Sequence, residues 1–248
     1  MAFANKTDYC GLTDVAALTT SLLVKDDAEN LSVEKYQPQG QDGSFIATEV
    51  YGEDRAPTNN YALAADISVT AGAIKLNAIK SINFGTTENP DNHNFALESF
   101  NITTSAGTAP SISATCQEIE STATDAAQCH YSIPAFTLTK KHHAQILFNA
   151  FTITGANCHL IDCAAAIGGS ISKDKVEGVK VSSDIASGVI TITGSILQSG
   201  SAKPVIAATE NSGFILTQPL TCTNPEAAYK TYTFELQKML AKDVPTAA

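Results

Sequence analysis

The chain of 248 residues has no tryptophan, and only 16% of its residues are charged. Globular chains carry about 25% charged residues. Here Ala, Ser and Thr fill the difference. The absence of tryptophan weakens any case for sugar binding, which relies on exposed aromatic platforms. Cations are sparse too. The formal net charge is −10, and the densest basic pairs are Lys140-Lys141 and Lys173/Lys175. That excludes a surface that grips nucleic acid, since such binding needs cations to neutralise phosphates. It does not exclude a surface that nucleic acid passes without sticking. No apolar run approaches the roughly 20 residues of a membrane helix. The opening residues, MAFANKTDYC, have neither a basic region nor an apolar core, so no secretory signal is visible.

Catalytic signatures are missing as well. There is no GxSxG, no phosphate loop, no HExxH and no dinucleotide fingerprint. No CxxC occurs among Cys10, Cys116, Cys129, Cys158, Cys163 and Cys222. Without a secretory signal, the expectation is free thiols. Cys158-His159 with Cys163 makes a C-H-x₃-C cluster, and Cys129-His130 lies upstream, but zinc sites favour pairs that close a tetrahedron. His142 and His143 are adjacent and diverge in direction, so they read as ordinary surface or half-buried residues. Asp26, Asp27, Glu29, Glu49, Glu53 and Asp54 follow no calcium-loop pattern. They read as solvated charge. Sequons at Asn5, Asn30 and Asn101 carry no meaning without secretion. The expectation is a non-enzymatic protein with no catalytic, cofactor-binding or metal residues.

What the sequence does contain is period two. The length fits one large β domain or two small ones. The weakly charged surface suits faces covered by neighbours, or a soluble domain with a Ser/Thr-rich exterior; both readings stay open. Residues 12–24 (LTDVAALTTSLLV) predict a helix capped by Thr13 or Asp14, and 25–38 an extended arm. Strands are predicted over 45–51, 61–70, 73–79, 95–104, 111–119, 129–136, 176–181, 188–193, 194–197, 213–217 and 229–238. Ala71-Gly72 suggests that 61–79 is a long hairpin, and 95–119 a second. Residues 139–151 place Ala144, Leu147, Phe148 and Phe151 at helical spacing after a Thr cap. The predicted architecture is mainly β: a β-sandwich or barrel with one flanking α-helix, long hairpins and extended N- and C-terminal arms. The predicted division is an N-terminal helix and arm over 1–44, a β domain over 45–240 and a flexible tail over 241–248.

The order of these features has a counterpart. It runs Tyr51-Gly52-Glu53-Asp54-Arg55-Ala56-Pro57, a long hairpin, Gly107-Thr108-Ala109-Pro110-Ser111-Ile112-Ser113-Ala114, the helix at 140–151, the strand at 188–193 and the closing 229–240. This resembles the tail tube (major tail) proteins of tailed bacteriophages and the inner-tube proteins of contractile injection systems. The resemblance spans about 45–240 and lies in element order and length. It implies a homohexameric ring, rings stacked into a hollow tube for DNA passage, and an inner β-barrel lined by paired strands. The hairpins at 61–79 and 95–119 are then the expected lining. The implied partners are copies of itself, a tape measure, baseplate or terminator protein, and a sheath in some tails. The implied location is the virion tail, assembled in the host bacterial cytoplasm, with no membrane. Other classes remain: a capsid decoration protein, a pilin-like subunit, or a β-sandwich binding module or enzyme.

Overall fold

Residues 12–24 do not form the predicted helix. The computed structural model describes residues 6–44, 47, 49–119, 129–176, 179–200, 202–226 and 228–243, with backbone alone at 32–35, 49–54, 170–176 and 179–186. In it Leu12–Asp14 make a single 3₁₀ turn. The cause is Asp8. Its carboxylate accepts the N–H groups of Gly11 and Thr13 and the hydroxyl of Thr13, at 2.7–3.0 Å. Those bonds fold the chain back on itself before a second turn can form. Leu12, Leu18 and Leu22 are then buried one by one rather than along a helical stripe.

The chain next turns extended. β1 (Leu22–Ala28) and β2 (Leu31–Tyr36) run out, and β3 (Glu49–Arg55) and β4 (Thr58–Leu63) run back. The pairing runs from Leu22↔Leu63 through Ala28↔Thr58 and Leu31↔Arg55 to Tyr36↔Glu49, with a shift of register between Val24 and Asp26 and another between Val33 and Lys35. The two halves therefore form one antiparallel ribbon, and the predicted division at 44/45 falls inside it. The strand predicted over 45–51 starts at Glu49; Phe45, Ile46 and Thr48 lie outside the described residues.

The predicted hairpin over 61–79 does not form either. β5 (Ile67–Val69), β6 (Lys75–Leu76) and β7 (Ile79–Asn83) each pair elsewhere. The turn at Ala71-Gly72 exists, with Gly72 at φ 76°. The alternation was genuine: Ile67, Val69, Ile74 and Leu76 are buried. Their partners, however, come from more than fifty residues downstream. The second hairpin does form, as β8 (Asn92–Ser105) and β9 (Thr108–Ile119) around Gly107.

Residues 129–136 split into β10 (His130–Ser132) and β11 (Phe136–Leu138), because Pro134 has no N–H for a ladder. β10 pairs with β6, and β11 with β5. The helix predicted over 139–151 is absent. Gln145 closes a loop instead: its side chain accepts from Thr139 N at 2.9 Å and donates to Thr139 O at 2.7 Å. Leu147–Asn149 is a 3₁₀ turn with Phe148 at φ 56°, outside the helical region. The helical spacing came from core contacts that a compact loop satisfies. Leu147, Phe148, Ala150 and Phe151 are all buried, and Phe148 packs 5.4 Å from Phe136.

β12 (Phe151–Thr154) leads into the longest pair, β13 (Cys158–Val176) and β14 (Val179–Ser199). The predicted strand at 176–181 straddles their tip, where residues 177 and 178 lie outside the described residues; 188–193 and 194–197 are one strand. β15 (Val205–Ala208), β16 (Ile215–Cys222), β17 (Tyr229–Met239) and the short β18 (Lys242–Asp243) complete the chain.

The protein is mainly β, as predicted, with antiparallel pairing throughout the described strands. The large sheet runs β1-β4-β9-β8-β13-β14-β17-β16, with β7 also on β8. The short pairs β5/β11, β12/β15 and β6/β10/β18 supply side chains to the same core. That core joins Phe95, Phe100, Ile102, Ile112, Ile192 and Leu236 of the large sheet to Leu76, Tyr131, Phe136 and Phe151. None of the described sheets closes into a barrel.

Candidate assembly surface

The register of the large sheet sorts its side chains into two faces. Ile112, Ile102, Ala165, Ile192 and Leu236 are successive cross-strand partners and point into the core. Their neighbours in sequence must point the other way. One such row is Ser113, Asn101, Ala166, Thr191 and Gln237; the next is Ser111, Thr103, Ala164, Thr193 and Glu235. This open face is built of small polar or alanine side chains. From β4 to β17 it carries no Lys or Arg in either row. Its carboxylates are Asp162 and Glu235, which flank a shallow hollow of about 280 Å³ with Thr193, Ser195, Gln218 and Thr233. Glu235 is held there by Thr217 Oγ1 at 2.8 Å and Gln237 Nε2 at 3.0 Å.

Gly194 lies beneath the hollow on the core side. A Cβ there would come within 2.6 Å of Phe234 Cζ and 2.7 Å of the Asp162 carbonyl oxygen. Glycine thus lets the Phe234 ring cross over the strand and meet Phe151 edge-on at 4.9 Å.

Two ribbons leave the same end of the sheet. β13 pairs with β8 only from Asp162 to Ile167. Beyond that point the edge of β8 is occupied by β7, at Asn92 to Ala96. β13 and β14 therefore continue as a two-stranded ribbon, paired to Val176↔Val179. β2 and β3 likewise pair only with each other among the described residues. The β2–β3 ribbon extends six or seven residues per strand, about 20 Å, and the β13–β14 ribbon runs over 168–176 and 179–188, about 30 Å at 3.3 Å per residue. At the root of the second, Arg55 reaches Glu29 at 2.9 Å and Glu118 at 3.6 Å, and Glu118 also bonds His93.

The two sheet edges differ. β1 carries Lys25, Asp26 and Asp27, of which Asp27 pairs with Lys6 and Asp26 accepts from Asn60. Charge on an edge strand discourages uncontrolled pairing. β16 has register shifts on both sides of Gln218, contains Pro219, and exposes Ile215 at 65%. Met239, 66% exposed, lies close by on β17.

The residues considered for chemistry do not converge. His142 and His143 are exposed in the loop after β11, and His159 is exposed while Cys158 faces the opposite side of its strand. The cysteines are free; Cys10, Cys116 and Cys163 are buried, and Cys129, Cys158 and Cys222 half-buried. Burial pushes the Cys163 thiol up to about 12, and holds the Cys116 thiol well above its ordinary value. No group of three His, Cys, Asp or Glu side chains able to hold a metal occurs among the described residues. The side chains of Glu49, Glu53 and Asp54 lie outside them. No helix among the described residues is long and apolar enough to cross a membrane. The sequence reading missed β13 entirely. Its Ala-Ala-Ala-Ile-Gly-Gly run has weak strand propensity, and only pairing to β8 and β14 reveals it. No family model and no curated protein matches the chain.

Proposed function

We propose that this chain is a structural subunit that assembles with copies of itself into stacked, hexameric rings, forming the hollow tail tube of a bacteriophage through which DNA passes. The observation that carries the reading is the open face of the large sheet. It is broad, flat in side-chain size, and without cations from β4 to β17. Such a wall offers DNA phosphates no cationic partner, so a genome slides along it rather than being held. Six subunits at −10 each carry a formal −60 per ring. The ribbons supply reach between subunits, because their strands have paired only with each other and retain outward N–H and C=O groups. Closing the sheet edges between neighbours removes the remaining unpaired strands. Of the lining predicted from sequence, β8–β9 stays in the proposal; residues 61–79 do not, since they are split among four strands, β4 to β7, that pair elsewhere. β13, β14 and β17 take their place.

Negative-stain electron microscopy of the purified protein tests this. Hollow rods or six-fold rings are the expected result. Monodisperse monomers at high concentration, or trimers on a lattice as a capsid decoration protein forms, overturn it. A reconstruction with a lysine-rich lumen would also count against it.

A further inference from the structure

Lys140, Lys141, His142 and His143 are consecutive and all exposed. Their loop is fastened to the body of the protein. Lys140 N donates to Asp66 Oδ1 at 2.9 Å, Gly107 N donates to His142 O at 3.1 Å, and Gln145 N donates to Thr104 Oγ1 at 3.0 Å. The Gly107 bond places the loop at the tip of the β8–β9 hairpin, the end of the sheet away from the ribbons. Lys140 Nζ reaches the Ala64 carbonyl oxygen at 3.4 Å, and neither lysine forms an ion pair among the described residues. The loop thus presents two ammonium groups without a carboxylate, on a chain whose formal net charge is −10.

The opposite end carries the opposite sign. Glu29 and Glu118 stand at the root of the β2–β3 ribbon, bridged by Arg55, and His93 links Glu118 to Asp91. Glu88 shares the β7–β8 turn with Asp91. Four carboxylates against one guanidinium leave this root a formal −3 with histidine neutral. The Asp91 side chain is 67% exposed and that of Glu29 44%. Lys6 and Lys80, on the same side, are already paired with Asp27 and Asp14. Glu118 lies eleven residues along the chain from Gly107, about 35 Å at 3.3 Å per residue, so the two charged ends of one subunit cannot meet.

We propose that the loop Lys140-Lys141-His142-His143 is a docking surface for a second copy of this chain, and that it seats on the acidic root of that copy: Glu29, Glu88, Asp91 and Glu118. The inference rests on the self-assembly reading above and adds which surfaces join successive subunits. Complementary patches at opposite ends make a heterologous, head-to-tail contact, and such a contact repeats without closing. It therefore stacks subunits along the strand direction rather than pairing them within a ring. Two lysines are too few to hold a nucleic-acid duplex, which needs many cations along its phosphates. The acidic root matches them in sign and is present on every copy. Because the charges are exposed, the contact fixes partner and register more than it supplies affinity, and salt weakens it.

The test mixes equal amounts of unlabelled and nitrogen-15-labelled full chain at about 50 mM salt. A carbodiimide then joins amines to carboxylates that touch, and digested peptides are read by mass spectrometry. The expected product links Lys140 or Lys141 to Glu29, Glu88, Asp91 or Glu118 in peptides of mixed isotope. Its yield should fall about five- to tenfold at roughly 500 mM salt. Lys140→Gln with Lys141→Glu should remove the link and reduce rods to single rings at unchanged melting temperature. If that variant melts lower, Lys141→Glu alone carries the comparison, since it leaves the Lys140 bond to Ala64 in place. Links of one isotope only, links from the loop to carboxylates elsewhere, or rods of unchanged length in the variant overturn this proposal and leave the assembly reading standing. A parent protein that gives neither rods, rings nor mixed-isotope links overturns both.

Discussion

Tyr61 donates its hydroxyl to the Asp8 carboxylate at 2.6 Å, across 53 residues of sequence. Tyr61 is 2% exposed, and burial with the nearby Cys10, Asp8 and Cys116 raises its pKa far above the ordinary tyrosine value. This bond ties the N-terminal loop to β4, the strand that continues into the β2–β3 ribbon. Asp8 has four donors in all: two backbone N–H groups, the Thr13 hydroxyl and Tyr61. Removing one leaves a half-buried carboxylate short of a partner. Tyr61→Phe should cost about 1.5–3 kcal/mol in urea unfolding. It should also speed proteolysis within residues 6–22 at unchanged β content by circular dichroism. An unchanged cleavage rate would show that the loop is held by other contacts.

Alkaline pH should destabilise the fold. The folded pKa of Cys163 lies near 12 against 9.0 for a free thiol, and Cys116 and Tyr61 are raised as well. A raised pKa means that the unfolded chain releases its proton first. The stabilising contribution is full below pH 9 and is lost as pH rises toward 12, at up to about 1.4 kcal/mol per pH unit for each group. Urea midpoints should hold between pH 8 and about 9 and fall from there to pH 11, and Cys163→Ala should reduce that slope. Thiol reagents at pH 8 should label the half-buried Cys129, Cys158 and Cys222 long before Cys163.

Gly194 is required by Phe234. An added methyl meets the ring and a backbone oxygen at less than 3 Å. Gly194→Ala should destabilise by about 1–3 kcal/mol, the usual cost of overpacking. Combining it with Phe234→Leu should recover part of that loss, since the ring is the movable half of the clash. Thermal melts of the two single variants and the double variant decide the point.

The ribbon of β13 and β14 should be dispensable for folding and necessary for assembly. Beyond Ile167 and Gly188 it pairs only with itself among the described residues. Replacing residues 172–184 with an Asn-Gly turn should leave the melting temperature within a few degrees and abolish rods or rings under the electron microscope. Rods of normal length would remove the ribbon from the assembly reading.

Lysines on the open face should convert a passive wall into a binding one. Thr103→Lys on β8 and Thr193→Lys on β14 lie in one row, on either side of Ala164 of β13. They should leave the fold intact and give DNA retention at about 50 mM salt that disappears near 200 mM, where the parent shows none. Filter binding with labelled duplex provides the readout. Retention by the parent protein at low salt would argue against a DNA-passing face.

Local order is what the sequence by itself determined. The β8–β9 hairpin was legible because its two strands and Gly107 are contiguous, and β17 because Tyr232, Phe234 and Leu236 alternate without interruption. The low charge and sparse cations were legible as composition, but not which face would be free of them. Tertiary structure decided the rest. Residues 139–151 have helical spacing, yet Gln145 and a left-handed Phe148 fold them into a loop, because the core rewarded burial and not periodicity. Ile67 and Leu76 alternate like one hairpin but pair with Leu138 and Tyr131, partners that no local window contains. β13 carries three alanines and two glycines in a row of six residues, and becomes a strand only because β8 and β14 flank it. The ribbons depend on where β7 ends the edge of β8, and the path of the N-terminal loop on where Asp8 and Asn59 hold it. Those relationships join residues far apart in sequence, so pairing and burial settle them and propensity does not.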